Sequence, residues 1–116
     1  MTNPLRGQFE IELAGETYKT RLTIDACMSI ESELSMSLLK ITQRIADSDV
    51  RIDELLVVLT QAIRGGGNNL DKKDVKKIVQ NAGLTQSILA VANILTATLS
   101  DPDPDDDQPK KEVAAA

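Results

Sequence analysis

The hydrophobic period of this chain changes at residue 25, and that change limits the possible folds more than any other feature. Residues 8–13, Gln-Phe-Glu-Ile-Glu-Leu, alternate strictly, with Phe9, Ile11 and Leu13 on one face and Glu10 and Glu12 on the other. A period of two is the mark of a half-buried strand. After a turn at Ala14-Gly15-Glu16 the alternation resumes through Ile24, with Tyr18, Leu22 and Ile24 inward and Lys19 and Arg21 outward. Glu10 and Glu12 can then face Lys19 and Arg21 across a hairpin. A lone hairpin is marginal in water, so its apolar face must lie against the remainder of the chain.

From residue 25 to residue 100 the pattern is helical. Asp25 is the expected N-cap of a first helix carrying Cys27, Ile30 and Leu34 on one face. Ser35 or Ser37 restarts the chain into a second, with Leu38, Ile41 and Ile45. A third begins near Arg51 or Ile52, capped by Ser48 or Asp49, and its Ile52, Leu55, Leu56, Leu59 and Ile63 match an amphipathic stripe. Gly65-Gly66-Gly67-Asn68-Asn69 ends it as a flexible connection. Asp71 caps a fourth helix with Val75, Ile78, Val79 and Ala82 inward and Lys72, Lys73, Lys76 and Lys77 opposite, and Gly83 stops it. Thr85 caps a fifth, whose seam is Ile88, Val91, Ala92, Leu95 and Leu99, broadened by Leu89 and Ile94. The expected helices are about 25–34, 37–46, 51–64, 72–82 and 86–99. The fold class is therefore α+β: an N-terminal antiparallel β-hairpin over 8–24 packed on about five short α-helices, residues 1–100 forming one domain. Residues 101–116 hold three prolines and six acidic residues against two lysines, which predicts a disordered acidic C-terminal tail.

The side chains present exclude several kinds of chemistry. There is no His and one Cys, so a Ser/Cys-His nucleophile pair is excluded, as are an internal disulfide and a Cys-rich zinc site. Cys27 sits on an apolar stripe and reads as a small core residue. Glu31 and Glu33, two residues apart, point to different faces of a helix and cannot converge as an acid/base pair. Asp101, Asp103, Asp105 and Glu112 match positions 1, 3, 5 and 12 of a calcium loop, but Asp106 stands where glycine is needed. Gly65-Gly66-Gly67 fits neither phosphate-loop pattern. No catalytic residue, cofactor or metal site is expected.

The charge pattern and hydropathy narrow the partners. Residues 1–100 carry eleven Lys or Arg against twelve Asp or Glu, so the body has no basic excess, and aromatics make up 2%. Nucleic acid is disfavoured as a partner on both counts, and the lysines of the fourth helix read as a solvated face. The charge-free segment 84–100 is too short and too polar to span a membrane, and no apolar leader follows Met1. A reducing cytoplasm is the expected compartment.

Taken in order, several segments resemble the small phage tail assembly chaperones of the gene-transfer-agent type. They are Leu5-Arg6-Gly7 before the charged hairpin, Leu22-Thr23-Ile24-Asp25-Ala26 opening a helix with Ile30-Glu31, Met36-Ser37-Leu38-Leu39, and Asp53-Glu54-Leu55-Leu56. Asp71 through Gly83-Leu84 and a final apolar helix complete the pattern. The resemblance covers about residues 5–100 and contains no chemical motif. It implies a non-enzymatic factor in the bacterial host cytoplasm that binds the tape measure protein and assists tail tube subunits. The same family is also described as a tail tube component, which keeps a structural tail subunit as the first alternative. A small regulatory nucleic-acid-binding protein using the lysine-bearing helix is the second. Such chaperones in many long-tailed phages are made in two lengths by a late frameshift, for which Lys110-Lys111 marks the candidate position. Ile88, Val91, Leu95 and Leu99 are the nominated partner-binding residues. A free hairpin edge also allows a homo-oligomer.

Overall fold

A computed structural model describes residues 8–100 of the chain. The expected acidic tail, the calcium-like Asp101, Asp103, Asp105 and Glu112, and Lys110-Lys111 lie outside the described residues. Within them the order is β1 (Gln8–Leu13), β2 (Glu16–Arg21), α1 (Ile24–Leu34), α2 (Leu38–Ala46), α3 (Ile52–Gly65), α4 (Lys72–Ala82) and α5 (Leu84–Ser100). The α+β architecture, one antiparallel hairpin followed by five helices, is as the change of period predicts.

The hairpin is closed by two residues, Ala14 and Gly15, both at positive φ, while Glu16 already belongs to β2. Positive φ at both positions matches the twist of the flanking strands. Pairing runs Leu13 to Glu16, Ile11 to Tyr18 and Phe9 to Thr20, with Glu10 opposite Lys19 and Glu12 opposite Thr17. Only one of the two expected cross-strand charge pairs is therefore aligned. A two-residue turn makes its closing pair a hydrogen-bonded one, so the pairs at 13, 11 and 9 exchange the ladder bonds. The backbone groups of residues 10 and 12, and of 17, 19 and 21, point away from the partner strand. Ile11, Leu13 and Thr20 are buried on the inner face, and the Thr20 hydroxyl donates to the Phe9 carbonyl at 2.6 Å.

The inward role expected of Ile24 is corrected: it is 57% exposed. The strand period stops at Arg21, and Thr23 caps α1 by accepting from the Ala26 amide at 3.2 Å. Thr23, not Asp25, is the N-cap, so Ile24 takes the first helical position and faces solvent. Ser35, in the left-handed region, ends α1, and Ser37 caps α2. Neither Ser48 nor Asp49 caps α3. Ser48 has positive φ just beyond α2, and the Arg51 amide donates to the Glu54 carboxylate at 2.9 Å. α4 starts with reciprocal bonds between Asp71 and Asp74, and the cap bond from the Asp74 amide is the main cause of a lowered Asp71 pKa. α5 begins directly after Gly83, whose carbonyl accepts from both the amide and the hydroxyl of the buried Ser87, so Thr85 is not a cap.

α3 is the axis of the fold. Leu55, Leu56, Val57, Val58, Leu59, Ala62 and Ile63 are all buried, which is burial on nearly every side and not along one stripe. Ile52 falls outside it, 53% exposed at the first turn. The all-round burial follows from the packing: β2, α1, α4 and α5 each lie against α3. α2 makes no close backbone approach to α3 but is tied to it by Arg44, whose guanidinium pairs with Glu54, a carboxylate side chain only 6% exposed.

The C-terminal end of α3 meets β2 through Gly65 and Gly66. A Cβ added at Gly65 would overlap the Arg21 carbonyl oxygen, and one at Gly66 the Lys19 carbonyl oxygen. Asn68 completes the junction, its side-chain amide donating to the Lys19 carbonyl at 2.9 Å and the Ile63 carbonyl at 3.1 Å. The reading of this segment as a mere flexible connection is thus corrected. Its first two glycines are packing residues that let a helix end lie on a strand edge.

Alanine in place of glycine near a helix end normally raises helix stability by up to about 1 kcal/mol. Gly65→Ala and Gly66→Ala are expected to act with the opposite sign, lowering unfolding free energy by roughly 1–3 kcal/mol through overpacking. Urea denaturation of each variant checks the sign, and an unchanged or raised midpoint would refute the close approach.

Candidate interaction surface

The groups weighed for chemistry in the sequence are placed in structural roles. Glu31 accepts from the Leu38 amide at 2.7 Å, holding the start of α2 against α1. Glu33 lies 4.0 Å from Lys72, whose ammonium also donates to Asp53 at 2.8 Å. The hydrogen bond to Asp53 is the main reason the Lys72 pKa is raised. One of the four lysines on α4 is thus engaged with carboxylates of α1 and α3. Cys27 is half-buried and packed on the core. Glu54, which periodicity did not single out, is the buried carboxylate that both pairs with Arg44 and receives the Arg51 amide. A helix-start acid three residues after Arg51 was its only signal. Among the described residues no three His, Cys, Asp or Glu side chains come together to hold a metal ion.

The four residues nominated on the last helix separate. Val91 and Leu95 are fully buried, Ile88 is half-buried and packed against the core, and Leu99 is 44% exposed. Ala90 and Ile94 share the buried face, which turns the seam about one position from the one read in the sequence. Ser87 joins that face because its hydroxyl is satisfied by the Gly83 carbonyl. Leu89, on the other side, is 60% exposed.

Two features face outward. Large apolar side chains stand clear of the core on four helices: Ile24 and Met28 on α1, Leu39 on α2, Ile52 on α3, and Leu84, Leu89 and Leu99 on α5. Ile24 and Met28 are four residues apart and share a helix face. A groove of about 270 Å³ also runs between β1 and α5, lined by Glu10, Ile11 and Glu12 on one side and by Leu89, Ala90 and Asn93 on the other. Gln86 closes one end, its side-chain oxygen accepting from the Ala14 amide at 3.3 Å. No single helix among the described residues is long and apolar enough to cross a membrane.

A family model described as phage tail tube protein, GTA-gp10, matches residues 6–101. The chain belongs to this family. The match spans both strands and all five helices described above. It supports the resemblance to gene-transfer-agent tail proteins and places the chain among phage tail components. No curated protein and no solved structure matches it.

The exposures on α5 make a direct contrast between two leucines. Leu95→Asp is expected to destroy cooperative unfolding, since an unpaired charge in the core costs several kcal/mol. Leu99→Asp is expected to shift stability by no more than about 0.5 kcal/mol. Thermal melts followed by circular dichroism separate the two, and equal losses would mean that the end of α5 is as buried as its middle.

Proposed function

We propose that this tail component is a non-enzymatic assembly chaperone that binds the tape measure protein in the bacterial host cytoplasm and assists assembly of the tail tube. The observation that carries the reading is the distribution of exposed large apolar side chains over four of the five helices. Isolated exposed leucines are ordinary. A set spread over several helix surfaces suits a long helical partner, which lays its own apolar face against successive short stripes. On α5 the proposed contact lies at Leu99 and the half-buried Ile88, with Leu89 beside them, because Val91 and Leu95 belong to the core. The family context supports a role in the tail, and the side-chain inventory, without histidine, supports a binding role over a catalytic one.

A structural tail tube subunit is the second reading, favoured by the description of the family itself. A tube ring is most readily built from a continuous sheet, whereas the described residues contribute one two-stranded hairpin. For that reason we rank it below the chaperone.

Co-expression with the tape measure protein, followed by affinity capture and size-exclusion chromatography with light scattering, discriminates the two. The expected outcome is a soluble complex that forms only when this chain is present and that weakens at least about tenfold in Leu89→Asp/Leu99→Asp, a loss in the range of an interface hot spot. Tubes or stable rings of this chain alone, without a tape measure complex, would replace the chaperone reading with the structural one.

A further inference from the structure

The outer edge of β1 carries a docking surface of a different kind from the helix faces. The two-residue turn sends the backbone N–H and C=O groups of Glu10 and Glu12 away from β2. The corresponding edge of β2 is covered, since Gly65, Gly66 and Asn68 of the α3 end lie on the carbonyls of Lys19 and Arg21. No helix end or loop bond caps Glu10 or Glu12 among the described residues. Among the described residues, one edge of the hairpin is thus closed by the fold and the other is open. Alongside the open edge runs the groove against α5, with the exposed Leu89 and Asn93 as its far wall.

We infer that this edge and groove take an extended segment of a partner protein in which Lys or Arg alternates with apolar residues, added as a third strand to β1. A strand laid on β1 turns alternate side chains to the two sheet faces. Those on the inner side lie over Leu89 and Ala90, which favours apolar residues. Those on the outer side stand beside Glu10, which has Lys19 opposite it but no cation within ion-pair distance among the described residues, and Glu12, which faces Thr17. Basic residues there gain two cross-strand charge pairs. The same charges argue against a second copy of this chain, because β1 paired antiparallel with its own copy sets glutamates beside glutamates. They argue equally against the chain's residues 101–116, which carry six acids and two lysines. The mode shares only Leu89 with the helix-face contact proposed above, and it applies whether the protein acts as a chaperone or as a tube component.

The test uses the full-length, isotope-labelled protein and a capped ten-residue synthetic peptide alternating Lys with Val and Thr. Two control peptides accompany it, one with Glu for every Lys and one N-methylated at alternate backbone nitrogens. The lysine peptide is expected to shift the resonances of residues 9–12, 89 and 93 and to slow exchange of the Glu10 and Glu12 amides at least about tenfold, as strand pairing does. The glutamate peptide is expected to bind at least about tenfold more weakly, and the N-methylated one likewise, since one loses the charge pairs and the other the ladder bonds. Glu10→Lys/Glu12→Lys is expected to invert the preference between the lysine and glutamate peptides. If that variant misfolds, the three peptides on the natural protein decide the matter alone.

Equal affinity for the lysine and glutamate peptides, no binding, or binding that leaves the Glu10 and Glu12 amides unprotected would overturn the inference. Protection of those amides without peptide would also overturn it. Light scattering would then assign the edge to a second copy if the protein is dimeric, or to the chain's own segment if it is monomeric.

Discussion

The contact between the end of α3 and the edge of β2 is the constraint on which the rest of the fold depends. A hairpin of two six-residue strands cannot hold itself together in water, and here it is fixed by laying backbone on backbone. That approach needs two successive residues without side chains, which Gly65 and Gly66 provide, and a donor for the strand carbonyl, which Asn68 provides. Once β2 is seated, Thr20 and Leu22 face the core beside α3, and β1 follows through the ladder to meet α4 and α5. One edge of the sheet is consumed in the process. Among the described residues, the asymmetry between a closed β2 edge and an open β1 edge is therefore a consequence of how the hairpin is anchored.

α3 can be buried on nearly all sides because its neighbours come from both directions along the chain. The strands and α1 precede it and α4 and α5 come after it, so no single amphipathic stripe describes its surroundings. The Arg44–Glu54 pair belongs to the same arrangement. A buried carboxylate is costly unless it is paired and hydrogen-bonded, and Glu54 is both, through the Arg44 guanidinium and the Arg51 amide. The pair joins α2, which has no backbone proximity to α3, to the central helix. It also fixes the start of α3, so its contribution is as much to geometry as to energy.

This division of labour explains what is left outside. Five short helices and a hairpin, with one of those helices at the centre, cannot turn every apolar side chain inward, and Met28, Leu39 and Leu89 are left at more than half exposure. Under the proposed function, these are the surfaces offered to the partner. Several of its charged groups serve the fold itself, with Glu31, Glu54 and Asp71 holding helix starts and Arg44 and Lys72 bridging helices.

Periodicity and capping residues made much of this legible from the chain alone. The hairpin, five helices, the cap at Asp71, and core positions such as Ile30, Ile41, Val75 and Val91 follow from local spacing, because a strand or an amphipathic helix shows its buried face in its own residues. Four features were not legible in that way. The packing role of Gly65 and Gly66 was hidden because a missing side chain looks the same in a loose turn and in a tight contact. Ile24 and Ile52 were read as inward because a hydrophobic residue at the first position of a helix continues the pattern of its neighbours while its side chain points elsewhere. The buried face of α5 was rotated because nearly every residue there is apolar or small, so only contact with β1, α2, α3 and α4 selects one side. Glu54 was overlooked because its partner Arg44 lies on another helix. The sequence by itself determined which segments are strand and helix, since those depend on interactions a few residues apart. Which glycines are contacts, which carboxylate is buried and which strand edge is open was decided only by the tertiary structure, because each depends on groups far apart in the chain that packing brings together.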